Sequence, residues 1–380
     1  MGRRFSQGLA IDERNEAMQP TGIVRDPVYL LHDMGAHHPE SPRRLEVVYS
    51  LLDKEVTNLN LKQVPVRAAE REELATNHAT RYVDRIAETA GRQSTYLDPD
   101  TSTSAHSWDA AVKAVGGLCN LVDEAVEGKV RNGFALVRPP GHHAEYDRAM
   151  GFCLFNNVAI AARHAISKHG MDRIAIVDWD LHHGNGTQHS FYDDPRVLFI
   201  STHQYPYYPG TGGTREVGSG KGEGYTVNVP LGAGAGDQDY VAIFQVLVAP
   251  VLRAYKPQLI LVSAGFDAHH TDPLGGMGLT ELGYDQMGRI LMGLAAELCS
   301  VSLILTLEGG YSLEALKDSV AKLLDCLASF NPDGEAIPEA VSVEDMHPRA
   351  RKSLAESLDA QRRYWPDLQM LQSRLTLPIS

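Results

Sequence analysis

Two carboxylates and an imidazole recur at every second position of Asp178-Trp179-Asp180-Leu181-His182, directly after the apolar run Ile174-Ala175-Ile176-Val177 and before the turn formers Gly184 and Gly186. An apolar, β-branched run of this kind reads as a buried strand of a parallel sheet, and the glycines end it. Strand side chains alternate in direction, so Asp178, Asp180 and His182 emerge on one side while Trp179 and Leu181 pack on the other. The polar set then lies just past the carboxyl end of a strand, where open α/β sheets place their sites. Oxygen and nitrogen donors together suit a divalent ion such as zinc. Two ligands do not complete a site, and a strand end whose polar groups merely cap a helix or face water would look the same.

Three further strand ends carry polar residues beside glycines. His142 and His143 follow Phe134-Ala135-Leu136-Val137 within Arg138-Pro139-Pro140-Gly141-His142-His143; Asp267 ends Ser263-Ala264-Gly265-Phe266-Asp267; Tyr311 ends Glu308-Gly309-Gly310-Tyr311. Each fragment alone has an ordinary explanation, a Pro-Gly loop or the start of a helix. Together they supply Asp267 as a third ligand beside Asp180 and His182, an Asp2His set with positions left open for water and substrate, which marks a catalytic metal rather than a structural one.

The elements that must hold these residues alternate along the chain. Residues 1–26 read as a polar N-terminal arm, and Val28–Leu31 as the first strand. A helix starts near Arg43 with Leu45, Val48, Leu51 and Leu52 at helical spacing; a strand is expected at Leu61–Val66 and helical turns over 71–91. Residues 104–127 carry a buried stripe from Ala110 to Val122. Strand Phe134–Val137 and helix 156–168 lead to the strand ending at Asp178, with further strands at Val197–Ser201, Tyr225–Val229, Leu259–Ser263 and Leu303–Leu307. Helices at 237–254, 280–297 and 312–328 separate the later ones. This alternation predicts an α/β fold, a single wound parallel sheet with helices on both faces. The catalytic domain spans 27–330, and 331–380 form a linker and a terminal helix, 349–363, packed on it.

Composition sets the outer bounds. The chain has 380 residues, 43% hydrophobic and 22% charged, enough for a sizeable core, and a formal net charge of −13. That charge disfavours direct nucleic-acid binding through phosphates and would tolerate a cationic substrate. Cys119, Cys153, Cys299 and Cys326 follow no disulfide or zinc-knuckle spacing, no apolar run spans a membrane, and no apolar segment follows the N-terminus, so a cytoplasmic protein is expected.

The motifs RPPGHHAE (138–145), GFCLFNN (151–157), VDWDLHHGNGTQ (177–188), SAGFDAH (263–269) and LEGGY (307–311) are long and jointly specific. Over Val28 to about Phe330 the chain closely resembles the zinc-dependent histone deacetylase family of the arginase–deacetylase superfamily, and Asn185 with the GNGTQ run points to its class II-like branch. The resemblance implies an eight-stranded parallel sheet and one Zn2+ per chain, held by Asp180, His182 and Asp267 at the bottom of a narrow tunnel. It makes His143 the general base and acid, His142 its electrostatic partner oriented by Asp178, Asn185 the neighbour of His143, and Tyr311 the oxyanion donor. It lines the tunnel with Gly151, Phe152 and, as the choice for the opposing ring, Tyr208, and places Arg44 on an inner acetate channel. A structural K+ site would draw on Asp178, Asp180, His182, Ser201 and Thr202.

The implied reaction is zinc-dependent hydrolysis of acetyl or other acyl groups from lysine side chains of a peptide or protein. The alternative is a deacetylase of acetylpolyamines or related small amines. A catalytically silent acyl-binding or scaffold protein is a third reading, which the presence of Tyr311 and both histidines disfavours. A polyamine enzyme needs a carboxylate at the tunnel mouth; here Leu274 stands at the family's gatekeeper position, although Asp272, Asp98 or Asp100 could supply charge.

Overall fold

The computed structural model describes residues 19–299, 301, 303–331, 338–366 and 368. Its centre is an eight-stranded, all-parallel sheet made of β1 (Thr21–Val24), β2 (Leu61–Gln63), β5 (Asn132–Ala135), β6 (Ile174–Asp178), β7 (Val197–Gln204), β8 (Thr226–Leu231), β9 (Leu259–Ala264) and β10 (Leu303–Leu307), in the order β2-β1-β5-β10-β9-β6-β7-β8. A small antiparallel hairpin, β3 (Thr95–Asp98) with β4 (Thr101–Thr103), stands apart. The central strands are buried along their whole length, as Leu259–Ala264 and Leu303–Leu307 show. Their sequences are therefore continuously apolar instead of alternating, because helices cover both faces.

The covering helices are α1 (Arg43–Lys54), the short α2 (Arg71–Leu74), α3 (Thr80–Ala87), α4 (Ser107–Val126), α5 (Asn157–His169), the short α6 (Asn185–Ser190), α7 (Asp237–Ile243), α8 (Ala249–Tyr255), α9 (Glu281–Leu298), α10 (Leu313–Ser329) and α11 (Pro348–Gln361). Helix α5 has strong stop signals at both ends. The Asn156 side chain accepts from the Ala159 N–H, and Gly170 ends the helix in the left-handed region at φ 66°. Helix α11 covers β8 and is tied to it by Ser357 Oγ donating to the Asn228 carbonyl at 2.9 Å and Gln361 Nε2 to that of Thr226 at 2.8 Å. Among the described residues no helix is long and apolar enough to cross a membrane.

Three expectations from the sequence need correction. Val28–Leu31 is not a strand but part of a 3₁₀ turn, Pro27–Leu31, because Asp26 caps the Val28 N–H and Pro27 pre-sets the first helical position. The first strand is Thr21–Val24, inside the segment read as an arm; it is fully buried between β2 and β5. The rest of that arm, 1–18, lies outside the described residues. The expected helix 237–254 is interrupted at Phe244–Val248 by a π-helical turn.

Candidate active site

The sheet order puts β5, β10, β9 and β6 side by side, and the four polar stretches leave the carboxyl ends of these four neighbours. Register fixes the alignment: Thr306 pairs with Ala135, Leu307 with Ala264, and Ser263 with Asp178. All the residues that the sequence singled out at strand ends therefore meet in one place.

At its centre Asp180, His182 and Asp267 bring one donor atom each to within 4.8 Å of one another. His182 Nδ1 faces Asp267 Oδ2 at 3.0 Å and Asp180 Oδ1 at 3.2 Å. Burial works against a charge on His182, yet these two carboxylates push its pKa up to about 9. The site thus favours positive charge between the acids, which a divalent cation would supply. The remaining carboxylate oxygens are oriented from behind: Gly309 N–H donates to Asp180 Oδ2 at 2.8 Å and Leu181 N–H to Asp267 Oδ1 at 2.9 Å. Buried oxygen and nitrogen donors with fixed outer partners fit zinc.

The tandem histidines have opposite electrostatics. His142 Nδ1 is 3.0 Å from Asp178 Oδ2, and its Nε2 lies 3.8 Å from Asp180 Oδ1. Burial disfavours the imidazolium, but Asp180 and Asp178 outweigh it and raise the pKa to about 10. His143, its ring tilted against that of His142 with centroids 4.0 Å apart, has the neutral Asn185 beside its Nδ1, at 2.7 Å. Burial, then the positive neighbours His142 and His182, hold its pKa well below the ordinary 6.5. One ring is held charged and the other neutral.

The Asn185 amide cannot turn over freely. Its Nδ2 donates to Glu145 Oε1, and Glu145 is itself held by His189 Nδ1 at 2.8 Å. Asn185 Oδ1 therefore faces His143 and accepts its Nδ1–H, leaving the Nε2 lone pair free toward the cavity. Glu145 lies inside the RPPGHHAE motif, yet nothing in its local spacing tells that it reaches Asn185.

Two further buried acids brace the walls. Glu308 accepts from the N–H groups of Gly141 and His142 at 2.6 and 3.2 Å and from Ser263 Oγ at 3.1 Å, with burial raising its pKa to about 7. Asp272, one of three acids open to the role of rim charge, is instead buried under the rim, where it accepts from the N–H groups of Tyr311, Ser312 and Leu274 at 2.6, 3.0 and 3.0 Å.

A narrow cavity of about 90 Å³ opens onto this centre, lined by Asp100, Pro140, His142, His143, Gly151, Phe152, His182, Tyr208, Leu274, Gly309 and Tyr311. The Phe152 ring meets Tyr311 edge-on at 5.8 Å, and Tyr208 stands edge-on to His143 at 5.2 Å. Gly151 has φ +57° and so little room that a Cβ would collide with the His143 ring. Phe152 follows at φ 69°, a conformation held by its N–H donating to Thr101 Oγ1 at 3.0 Å, while Gly151 N–H donates to Asp100 Oδ1 at 3.2 Å. The unforeseen β3–β4 hairpin thus props one tunnel wall.

Arg44 lies behind Tyr311, its guanidinium 5.0 Å from the ring centroid, and is fully buried. It donates to the Gly310 carbonyl at 2.6 Å and to Glu40 at 3.1 Å; Glu40 also takes the Arg138 guanidinium. Two cations on one buried acid, with backbone carbonyls taking further donors, keep these charges paired. Ser201 aligns with Asp178 in register; its hydroxyl meets His203 Nδ1 at 2.9 Å, and the buried Thr202 Oγ1 has no hydrogen-bond partner among the described residues.

Comparison with known proteins agrees with this geometry. The family profile described as histone deacetylase domain matches residues 38–327. A probable deacetylase of Archaeoglobus fulgidus is 42% identical over 323 residues, 84% of this chain and 89% of that protein. Histone deacetylase 15 of Arabidopsis thaliana is 38% identical over 371 residues, 95% of this chain and 65% of that protein. Human histone deacetylase 7 is 36% identical over 93% of this chain and 40% of its own length. The crystal structure of the HDA15 HD domain superposes with a TM-score of 0.87 at 37% identity, covering 96% of this chain and all of that one.

Proposed function

This chain belongs to the histone deacetylase family and is a hydrolytic deacetylase, and from that premise we propose that it removes acetyl or related acyl groups from lysine side chains with one zinc ion held by Asp180, His182 and Asp267. The observation that carries the proposal is the pair of adjacent histidines, one facing the Asp178 carboxylate and the other the Asn185 amide, beside the Asp180, His182 and Asp267 donor set on a narrow cavity.

Zinc bound there would polarise the acyl carbonyl and make the attacking water more acidic. The chain's own groups do the rest. His143 Nε2 takes the water's proton and later gives it to the departing amine. Its Nδ1–H stays on Asn185, so one tautomer serves both steps. His142, kept charged by Asp178 and Asp180, places a fixed positive charge beside the reacting carbon. Tyr311 donates its hydroxyl to the oxygen that gains charge as the carbonyl becomes tetrahedral. Phe152 and Tyr208 admit a linear apolar stem, Gly151 supplies backbone along it, and Leu274 offers an apolar rim. In the same reading Asp178, Asp180, His182, Ser201 and Thr202 would seat a structural K+, which the partnerless Thr202 hydroxyl favours.

One observation favours the second reading, small acetylated amines: the Asp100 carboxylate lies on the cavity. Its Oδ1, however, already accepts from Gly151 N–H and Thr101 Oγ1, which ties it to the wall. Turnover of acetyl-lysine peptides, longer acyl-lysines and acetylpolyamines, measured side by side, tests the choice. Higher kcat/KM for the peptides is expected. A preference of tenfold or more for acetylpolyamines would reverse the assignment.

A further inference from the structure

Away from the catalytic cavity, the last turns of α4 and α5 meet at a second cluster of donor atoms. Asp123 stands three positions before the end of α4, and His169 is the last residue of α5. Asp123, His164 and His169 each bring a ligand atom to within 4.8 Å of the others. Both imidazoles point Nε2 at the same carboxylate oxygen, Asp123 Oδ1, at 2.8 and 2.7 Å. We propose that Asp123, His164 and His169 bind a second divalent metal ion, of the zinc class, that clamps the end of α5 to α4.

Three features carry the assignment. First, His164 faces carboxylates at both ring nitrogens, since its Nδ1 lies 3.6 Å from Glu73 Oε1. With Nε2 on a metal, Nδ1 becomes the donor toward Glu73, the carboxylate–histidine–metal arrangement that orients ligating imidazoles. Glu73 is anchored for that outer role by two Arg67 contacts of 2.5 Å. Second, both helices end here, so the negative ends of two helix dipoles converge on the cluster and favour a cation. Third, the spacing is close to what is needed. Ligands at zinc bond lengths lie ~3.3 Å apart in a tetrahedron, so each imidazole Nε2 need draw back from Asp123 Oδ1 by only about half an ångström, and all three ligand atoms already lie within 4.8 Å of one another. Two imidazoles with one carboxylate select zinc-like ions over Ca2+ or Mg2+. Water would complete the shell, because the three side chains are only 9–14% exposed yet reach the surface.

The overlapping group Glu73, Cys119 and His164 is the weaker set. Arg67 occupies Glu73, and burial pushes the Cys119 thiol well above its ordinary pKa. One group opposes the ion. Lys168 Nζ lies 2.7 Å from Asp123 Oδ2, but its side chain is 53% exposed and free to swing into solvent.

The test is metal analysis of the full chain after equilibration with zinc at about micromolar free concentration, alongside His169→Gln and Lys168→Ala. The wild-type protein should hold one equivalent more than His169→Gln, and its Tm should rise further with zinc than that of the variant. Lys168→Ala should bind the extra equivalent severalfold more tightly. His169→Gln should keep wild-type deacetylase turnover, which separates this ion from the catalytic one. The decisive quantity is the difference of one equivalent between the two proteins, so it does not depend on how full the catalytic site is. Equal zinc content in wild type and His169→Gln would overturn the proposal, as would an unchanged affinity in Lys168→Ala together with a zinc-dependent Tm rise no larger in wild type than in His169→Gln.

Discussion

Gly309→Ala should empty the proposed zinc site without replacing any ligand. A Cβ at Gly309 would sit 2.6 Å from Asp180 Oδ2 and closer still to Asp267 Oδ2, between two of the three ligands. The backbone cannot withdraw to make room. Gly309 N–H is held by Asp180 Oδ2 at 2.8 Å, and its carbonyl accepts from Phe266 N–H at 3.1 Å. Each carboxylate must therefore retreat by about 1 Å to reach ordinary contact, several times the ~0.2 Å tolerance of a metal site. Disturbing an outer partner alone costs about 10- to 100-fold in metal affinity. Moving two ligands at once should cost at least the upper end of that range, and turnover should fall with it. Zinc affinity by competition with a chromophoric chelator, with kcat on the best peptide substrate, measures both. Gly232→Ala is the control, since its Cβ would meet Arg349 at an ordinary 3.5 Å. If Gly309→Ala held zinc like the wild type and turned over normally, the assignment of Asp180 and Asp267 as joint ligands would be refuted.

Four other outcomes follow from the same geometry. His143→Ala should lower kcat by roughly 10²–10⁴-fold while zinc content stays the same, because it removes proton transfer and no ligand; concurrent loss of zinc would contradict its role. Tyr311→Phe should cost about 10²–10³ in kcat, the scale of one oxyanion donor, and near-normal turnover would show that the phenol does not donate. Glu145→Ala frees the Asn185 amide to turn over, so kcat should drop about tenfold with KM little changed; Asn185→Asp in that background should restore activity, since a carboxylate has no wrong way round, and absence of rescue would count against the positioning chain. Leu274→Glu places a charge at the rim and should shift the kcat/KM ratio of acetylspermidine to acetyl-lysine peptide by roughly tenfold toward the polyamine, with an unshifted ratio arguing that Leu274 does not meet the substrate.

The sequence by itself brought the candidate metal ligands, the tandem histidines and Tyr311 together, because each sits within several positions of a strand end that announces itself. Continuous apolar runs can only be strands buried on both faces, and the glycines after them mark where the backbone turns toward a ligand. That is why Asp180, His182, Asp267, the tandem histidines and Tyr311 were legible as one constellation, and why the parallel α/β architecture followed from the alternation of elements. Thr21–Val24 was missed since four residues of mixed type carry too little pattern, and Val28–Leu31 misled since its apolar run is governed by Asp26 and Pro27. What only the tertiary structure decided is which distant groups set the state of each residue. The charge on His142 and the neutrality of His143 depend on carboxylates and an amide brought from β6 and α6, and the orientation of Asn185 depends on Glu145 forty positions away. Asp272 looked like a rim charge, and only the fold shows it spent on three backbone N–H groups. Local sequence specifies residue type and backbone path, whereas protonation, rotamer and partner arise from electrostatics and packing between elements whose adjacency is fixed only when the strand order β5-β10-β9-β6 is formed.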